Sequence, residues 1–459
     1  MTSERPTVVF TASTGWTIRN FVHTGVFEGV RRSADLIVAA SADLKPYFEG
    51  LQAEGRIDGV LDLPAAEPLP WRLLRQGKKA VLQGKDRIST AAIKMQSNAA
   101  DEGGRRLRAV LWALQTKLSA NWQFGLLEGI ERRFGPAARD LPASATVLVN
   151  GSPFDPRDNA LQRAAIRLGL PTLAIIPSWD NPSTKGAILT DVDEVLAWGE
   201  HQRRELLGYY PRLRTTDISI SGIPQFDAYR RPLEGSLARA PFLGGLGIDP
   251  ERRVILYATC SAKLFANEPR VVADLVEDTE AGEFGDAHLL VRCHPADSAG
   301  RYAAVADHPR VTVWDSTAGD SLQAWRPPSE ELDVLAAMLL HSAVCINTAS
   351  TMTLDAFACG RPVVNVSYDG GEDLPYARSV RRYYDYHHYR PIVRSGAVDV
   401  ACSRQDLRVQ VRSALDDPQR LAPARASVVE DFCRNPEEGS VRFITARILA
   451  HTLPRSAPA

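Results

Sequence analysis

The sequence has little of what metal-binding or disulfide-bonded proteins need. Its 459 residues include six cysteines, with no Cys-x-x-Cys pair and no Cys/His cluster at zinc spacing. Cys260, Cys293 and Cys345 lie in or beside apolar runs, where a cysteine packs as a small hydrophobic residue. We therefore expect a reduced protein without disulfides and without a structural metal.

Net charge and long apolar segments are also lacking. The formal net charge is -1, and no apolar run is long enough to cross a bilayer. The first residues, Met-Thr-Ser-Glu-Arg-Pro, show no signal-peptide pattern. Nothing here favours nucleic acid as a partner, and we expect a cytoplasmic location. The absence of a Gly-x-Gly-x-x-Gly motif after any predicted strand disfavours a dehydrogenase.

What the sequence does contain is an alternation of short apolar runs with helical patterns, which is typical of parallel sheets covered on both faces. The predicted strands are 7–10, 35–41, 146–150, 172–177, 192–198 and 218–222, followed by 253–259, 287–292, 311–314, 343–347 and 362–366. We expect an α/β protein of two doubly wound, Rossmann-like domains facing a central cleft. The predicted limits are 1–228 for the first domain, 229–250 for a linker, 251–435 for the second domain and 436–459 for a C-terminal helix and tail.

A segment over residues 64–142 interrupts the first domain. Between Trp71 and Arg133 it holds thirteen Lys/Arg against five Asp/Glu. Its apolar positions are Leu73, Leu74, Val81, Leu82, Leu107, Val110, Leu111 and Leu114. One hypothesis is a basic helical arm that meets an anionic acceptor or the inner face of the membrane. The alternative is a solvated helical insertion whose apolar positions pack on the sheet.

The most informative motif lies between two predicted strands of the second domain. It comprises Asn347-Thr348-Ala349-Ser350-Thr351, then Asp355, then Gly360-Arg361-Pro362. A helix that begins here has amide groups without intrahelical partners at its positive end, which suits a phosphate or diphosphate. Thr348, Ser350 and Thr351 are candidate diphosphate contacts, and Asp355 is a candidate contact of a ribose hydroxyl. The alternative is ordinary helix capping.

Other polar residues follow predicted strands of the same domain, at the ends where open α/β sheets bind ligands. His294 can donate to a diphosphate or to a leaving-group oxygen, and Arg292 at the same strand end is a further donor-site candidate. After the strand 253–259, Ser261 and Lys263 can contact phosphate. The alternative in each case is a loop that closes a strand.

In the first domain, Thr14 and Gly15 follow the first strand in a small turn that can cradle an acceptor or touch the donor phosphate, and the alternative is ordinary helix capping. Asp180 follows a later strand and is the best candidate for a general base, because a carboxylate in a partly dry cleft can have a raised pKa. The neighbouring candidates for acceptor or sugar contacts are Trp179, Asn181 and Lys185. The alternative is that Asp180 and Asn181 hydrogen-bond within their own turn.

An aromatic and basic segment over residues 383–391 supplies further candidates for sugar or base contact, His388 and Arg390. Two adjacent histidines are not a metal site without further ligands. The alternative for this segment is a role without ligand contact.

Taken together, these motifs resemble those of GT-B glycosyltransferases of bacterial surface-polysaccharide synthesis. They are most similar to the branch with the CDP-glycerol glycerophosphotransferases and the capsular Kdo transferases. The resemblance is carried by His294-Pro295, the Asn347 to Thr351 motif with Asp355 and Gly360-Arg361-Pro362, Ser178-Trp179-Asp180-Asn181, and Ser221-Gly222-Ile223-Pro224-Gln225-Phe226-Asp227. Two departures are that many GT-B enzymes have a Glu where Asp355 stands, and that the loop after Phe10 is not a plain glycine-rich acceptor loop.

The resemblance implies metal-independent transfer of a sugar, or of a polyol phosphate, from a nucleotide-diphosphate sugar or CDP-linked donor to a glycan or lipid-linked acceptor. By the same analogy, His294, Ser350 and Thr351 bind the donor diphosphate and Asp355 binds the ribose. Asp180 and His294 are the catalytic candidates, and no cofactor is expected. Two other hypotheses remain open. One is a nucleotide-sugar 2-epimerase, which needs acidic residues around the sugar, and the other is a non-catalytic nucleotide-sugar-binding protein.

Overall fold

The structure is a computed structural model that describes residues 5–64, 67–84, 88–97, 119–137, 141–210, 212–315 and 325–453. The chain forms two compact units. The first unit comprises Met1–Pro224 and Arg434–Ala459, and the second comprises Gln225–Cys433. The chain therefore passes from one unit to the other twice.

The first unit is built on a seven-stranded sheet, formed by β1 (Thr7–Ala12), β2 (Asp35–Ala40), β3 (Gly59–Asp62), β4 (Ala145–Asn150), β5 (Thr172–Ile175), β6 (Glu194–Ala197) and β7 (Ile218–Ile220). The strand order is β3-β2-β1-β4-β5-β6-β7, and every pairing is parallel. Its helices are Val26–Arg31, Lys45–Ala53, Leu69–Leu82, Ser89–Ser97, Ala120–Phe134, Pro156–Arg167, Asn181–Thr184, Glu200–Tyr209 and Ser440–Ala450.

The second unit has a six-stranded sheet, formed by β8 (Val254–Ala258), β9 (His288–Arg292), β10 (Val311–Trp314), β11 (Val344–Asn347), β12 (Val363–Val366) and β13 (Asp399–Ala401). The order is β10-β9-β8-β11-β12-β13, again with parallel pairings. Its helices are Arg239–Gly245, Glu268–Glu280, Ala303–Ala306, Glu331–His341, Met352–Ala358, Arg390–Arg394, Arg404–Asp416 and Ala422–Phe432. Both sheets have the strand order of a doubly wound, Rossmann-like fold.

The core explains why the strand runs are apolar along their whole length. In β1, Val8 and Phe10 join one apolar cluster, and Val9 joins another on the opposite face of the sheet. Strands that are covered by helices on both faces need apolar side chains at successive positions, without alternation. The first cluster is completed by Ile444 and Ile448 of the C-terminal helix Ser440–Ala450.

The segment over 17–32, whose apolar residues recur at helical spacing, is divided in the structure. A π-helical turn, Ile18–Val22, precedes the α-helix Val26–Arg31. Gly25 between them has a φ of 93°, a left-handed conformation that glycine adopts at little cost and that interrupts a helix.

The insertion packs partly on the first sheet. Val81, Leu82 and Phe124 share an apolar cluster with Ile176 and Val195. The predicted apolar positions Leu107, Val110, Leu111 and Leu114 lie outside the described residues. Within the part of the chain that the structure describes, no helix is both long enough and apolar enough to span a bilayer.

Candidate functional site

The predicted donor-binding residues of the second unit follow strands that end at one edge of its sheet. From β8 the chain continues into β9 on one side, whereas β11 pairs with β8 on the other side. The carboxyl ends of β8 and β11 therefore form the switch point, where the loops leave the sheet in opposite directions and open a ligand crevice. Ser261 and Lys263 lie in the loop after β8, and Thr348 lies in the loop after β11.

His294 is held in position by its backbone and by its ring. The hydroxyl of Thr259 accepts a hydrogen bond from the His294 amide at 2.9 Å and donates to Asp297 at 2.8 Å. Nδ1 of His294 accepts from the Ala296 amide at 2.9 Å. In the neutral ring this contact places the proton on Nε2, so that the imidazole can donate through Nε2. Thr259 therefore fixes the loop that carries His294.

The loop after β11 rests on a buried polar network. The Asn347 side-chain oxygen accepts from Thr353 at 3.0 Å and from Asn365 at 3.0 Å, and the Ser350 hydroxyl lies 3.4 Å from it. Thr348 is 2% exposed, and among the described residues its hydroxyl oxygen has no hydrogen-bond partner. Because an unpaired buried hydroxyl is costly, Thr348 is the side chain of this loop that points most strongly to a missing polar ligand.

The helix that follows this loop is short. It runs over Met352–Ala358, and the side chain of Thr351, at its N-cap position, does not cap it. The dipole of a helix is the sum of its peptide dipoles, so seven residues give a weaker positive end than a long helix does. An anion here would therefore depend mainly on hydroxyls and amides of the loop.

Asp355 and Arg292 are already engaged by residues of the same unit. Asp355 is 3% exposed, and one carboxylate oxygen accepts from Gln225 at 2.7 Å and from the Tyr229 hydroxyl at 2.6 Å. Arg292 forms a buried ion pair with Glu331 at 2.6 Å. A ribose contact of Asp355 and a donor contact of Arg292 stay predictions, and each has to compete with these bonds.

The aromatic segment supports the two loops at the switch point. The Tyr383 hydroxyl donates to the carbonyl of Leu264, in the loop after β8, at 2.9 Å. The Tyr384 hydroxyl accepts from the Ala349 amide, in the loop after β11, at 3.3 Å and donates to the Val366 carbonyl. This segment therefore supports both loops through hydrogen bonds.

The remaining residues of this segment lie close by. The Tyr389 hydroxyl donates to the Asn365 side-chain oxygen at 2.6 Å, within the network beneath Thr348. His388 is 8% exposed and lies against Tyr386, and Arg390, partly buried, begins the helix Arg390–Arg394. Lys263 is exposed and Ser261 is partly buried.

In the first unit, the switch point lies between β1 and β4. Thr14 and Gly15 follow β1, and their carbonyls accept from the amides of the π-helical turn. Beside them lies Asp158, a residue that the sequence analysis missed. It is fully buried, accepts from the Thr11 hydroxyl, and burial raises its pKa to about 7. Asp158 belongs to an ordinary helical pattern in the sequence, so nothing in the pattern could have shown its burial.

Asp180, after β5, has a carboxylate that is tied into its own turn, as the local alternative predicted. It accepts from the hydroxyls of Ser178 at 2.5 Å and Thr184 at 2.8 Å, and from the Asn181 amide at 3.2 Å. The other candidates differ in exposure: Trp179 is 2% exposed, Asn181 is buried and Lys185 is exposed.

Glu205, on the helix Glu200–Tyr209, is a second carboxyl that the sequence analysis missed. It is 8% exposed and accepts from the Tyr209 hydroxyl at 3.2 Å. Burial, and more weakly the negative charge of Asp180, raise its pKa to about 8. At neutral pH it is therefore mostly protonated. Within the described ranges, no three His, Cys, Asp or Glu side chains are grouped so that they could hold a metal ion.

Comparison with solved structures supports the fold directly. The chain is similar to UDP-GlcNAc 2-epimerase from Neisseria meningitidis bound to UDP-GlcNAc, with a TM-score of 0.53, 11% identity, and coverage of 97% of this chain and 100% of that one. It is similar to the same enzyme from Methanocaldococcus jannaschii, with a TM-score of 0.53, 13% identity and coverage of 97% and 99%. It is also similar to the wall teichoic acid polymerase TagF, with a TM-score of 0.53, 11% identity and coverage of 98% and 89%.

No protein-family model matches the sequence, and no curated protein does either. At these identities the structural similarity establishes the fold alone. The chain has a two-domain, Rossmann-like α/β fold of the GT-B type, which confirms the predicted fold class.

Proposed function

We propose that the protein is a glycosyltransferase that moves a sugar, or a polyol phosphate, from a nucleotide-activated donor to a glycan or lipid-linked acceptor. The observation that carries this proposal is the edge of the second sheet, where the Thr348 hydroxyl is buried and has no hydrogen-bond partner among the residues that the structure describes. His294 follows β9, the neighbouring strand, and its loop is fixed by Thr259. The nucleotide-sugar complexes among the structural neighbours support a donor of this class.

Transfer of a sugar from its nucleotide donor requires that the site stabilise the leaving group. Cleavage of the bond between the sugar and the diphosphate leaves negative charge on the diphosphate oxygens. Preorganised donors that are aimed at this charge lower the barrier. His294 would donate through Nε2, and Thr348 and Ser350 would donate through their hydroxyls. We propose that these residues suffice without a metal ion.

Asp180 remains our proposed general base, because its carboxylate follows a strand of the first sheet, at the end where such sheets bind ligands. Asp180 is also partly exposed, whereas Asp158 and Glu205 are buried. If the reaction retains configuration at the sugar, no base for the acceptor is needed and replacing Asp180 will have little effect.

A nucleotide-sugar 2-epimerase is the second candidate, and one observation favours it. That reaction needs acidic groups near the sugar, and the first unit contains buried carboxyls that sequence patterns did not show. Asp158 and Glu205 have pKa values raised to about 7 and about 8, the range in which a side chain can both give and take a proton. The non-catalytic binding protein is the third candidate.

One experiment separates the three candidates. The protein is screened by thermal shift against UDP-, CDP- and GDP-linked donors, and the binding donor is incubated with and without a lipid-linked acceptor. Mass spectrometry then detects free nucleotide, an epimerised sugar, or neither. We expect free nucleotide that depends on acceptor and persists in EDTA.

The variants Thr348→Val and Ser350→Ala test the site. We expect each to weaken donor binding by about tenfold or more, since a hydrogen bond to a charged group contributes about 1.5 kcal/mol or more. The control is Ser329→Ala, an exposed serine ahead of the helix Glu331–His341. Unchanged donor affinity in both site variants would show that the nucleotide does not bind at this edge of the sheet.

A further inference from the structure

The helix Ala120–Phe134 of the insertion buries its acidic residues together with Phe124 and exposes a second row of apolar side chains. Trp122, Leu126 and Phe134 face outward and are 57%, 51% and 63% exposed. Its two acidic residues, Glu128 and Glu131, are buried. A solvated helix normally shows the opposite pattern, with apolar residues inward and charged residues outward.

The buried acids fix this orientation. Glu131 forms ion pairs with Lys78 at 2.5 Å and with Arg163 at 2.9 Å. Glu128 accepts from the Thr190 hydroxyl and lies 3.7 Å from Arg212. Rotating the helix to bury its apolar side chains would break these pairs and leave Lys78 and Arg163 buried without a counter-charge, which is strongly unfavourable.

The neighbouring helix Leu69–Leu82 also exposes apolar side chains. Lys78, on this helix, lies with its ammonium group 5.1 Å from the ring centre of Phe124. Leu69 and Leu73 are 56% and 52% exposed. Of eleven large hydrophobic residues that are exposed in the described part of the chain, six lie on these two helices. These six residues, which we name the outer apolar face, are Leu69, Leu73, Trp122, Leu126, Ile130 and Phe134.

The exposed charged residues on these two helices are all basic, and one of them, Arg132, lies 3.6 Å from Asp191 in the loop before β6. Arg72, Arg132 and Arg133 are exposed, and the two helices contain no acidic residues besides the buried Glu128 and Glu131. A second copy of the chain would meet this face with the same arginines, because a twofold interface pairs a surface with itself. An anionic surface is the complementary partner.

We propose that the outer apolar face docks on an anionic membrane surface, with its apolar side chains among the acyl chains and the arginines at the headgroups. Helices that lie in the plane of a membrane combine these two features, and tryptophan is enriched at this depth. The proposal extends the function proposed above, because a lipid-linked acceptor is presented at such a surface. It does not depend on the chemistry at the second sheet.

Flotation with vesicles tests the proposal on the full-length protein. One set contains phosphatidylcholine alone, and the other contains about 30% phosphatidylglycerol. We expect the wild type to float with the anionic set and much less with the neutral set. The variant Trp122→Glu/Leu126→Glu should lose binding by at least about tenfold. The variant Arg132→Glu/Arg133→Glu should lose about fivefold for each arginine on anionic vesicles.

The matched control is Leu168→Glu/Val409→Glu, which adds the same charge at two exposed apolar positions outside the insertion. It should float like the wild type. The proposal is overturned if Trp122→Glu/Leu126→Glu binds anionic vesicles as well as the wild type does. It is also overturned if the wild type binds neither set of vesicles. A solution dimer that dissociates in this variant would also overturn it and assign the face to a second copy.

Thermal shifts with the donor panel are recorded for the same variants. If no variant and no wild type binds a donor while flotation follows the expected pattern, the proposed transfer fails and the docking surface stands. If donors bind and the protein does not float with vesicles, the docking surface fails and the proposed transfer stands. The Arg132→Glu/Arg133→Glu variant keeps the apolar side chains, so it gives an independent answer if Trp122→Glu/Leu126→Glu does not fold.

Discussion

Glu268, the first residue of the helix Glu268–Glu280, is a fully buried carboxyl that bonds to residues at the end of β8. It accepts from the Cys260 amide at 2.8 Å and from the Tyr257 hydroxyl at 3.2 Å. Burial raises its pKa from the ordinary value of 4.5 to about 8. Between these two values the folded protein holds a proton that the unfolded chain releases, so the stabilising effect of this proton is lost as pH rises.

We therefore expect the free energy of unfolding to fall as pH rises from about 5 to about 8, by at most about 5 kcal/mol from this residue. The variant Glu268→Gln stays neutral and should flatten that slope. Urea unfolding at several pH values measures it, and Glu251→Gln, at an exposed position, is the control. A slope that Glu268→Gln leaves unchanged would show that Glu268 titrates normally.

At the residue scale, sequence patterns located the polar residues but not their partners. Residues after strands, such as His294 and Thr348, were predicted because strand ends can be inferred from apolar runs. The engagement of Asp355 by Gln225 and Tyr229 could not be predicted, because more than a hundred residues separate them in the chain. The same is true of the burial of Glu205, which depends on tertiary packing.

At the scale of elements, the tyrosine segment is the feature that connects the two loops of the candidate donor site. The sequence suggested ligand contact for its residues, because aromatic and basic side chains commonly contact sugars and phosphates. The structure uses Tyr383, Tyr384 and Tyr389 as buried hydrogen-bonding supports. Only the three-dimensional structure shows which groups these hydroxyls bond to.

The variant Tyr384→Phe tests this support. It removes the hydroxyl that contacts the Ala349 amide and the Val366 carbonyl. We expect a loss of stability of about 1–2 kcal/mol and a weaker donor affinity, both measured by thermal shift and titration. The control is Tyr376→Phe, since the hydroxyl of Tyr376 is more exposed and bonds to Asp385. This variant should change neither the stability nor the donor affinity. Equal behaviour of the two variants would contradict a supporting role.

Strand prediction was accurate for the central strands and for the edge strands β7 and β10, and it missed the other two edge strands. β1 and β9 are buried on both faces, so their apolar runs are continuous. β3 and β13 were not predicted, because these short edge strands are partly exposed and lack such runs. Topology, by contrast, followed from the alternation of strands and helices, since parallel strands need crossover connections.

At the scale of the whole molecule, the first unit depends on the end of the chain. Ile444 and Ile448 are fully buried in the cluster that contains Val8 and Phe10. Arg447 also forms an ion pair with the buried Glu194 at 2.9 Å. The C-terminal helix Ser440–Ala450 is thus part of the first core, although the second unit lies between them in sequence.

The variant Ile448→Ala should destabilise the first unit by about 2–5 kcal/mol, the usual cost of such a cavity. Hydrogen exchange followed by mass spectrometry should show faster exchange in peptides of β1 and unchanged exchange in peptides of β8. Arg442→Ala, an exposed position on the same helix, is the control. Equal loss of protection in both sheets would mean that the two units unfold together.

The return of the chain to the first unit has a consequence for biosynthesis. A ribosome releases the strands of the first sheet long before it releases Ile444 and Ile448. The nascent first unit must wait, with one face of its sheet incompletely covered, until translation of the last residues ends. A premature stop between Cys433 and Ile444 would therefore damage the unit whose strands were synthesised earlier.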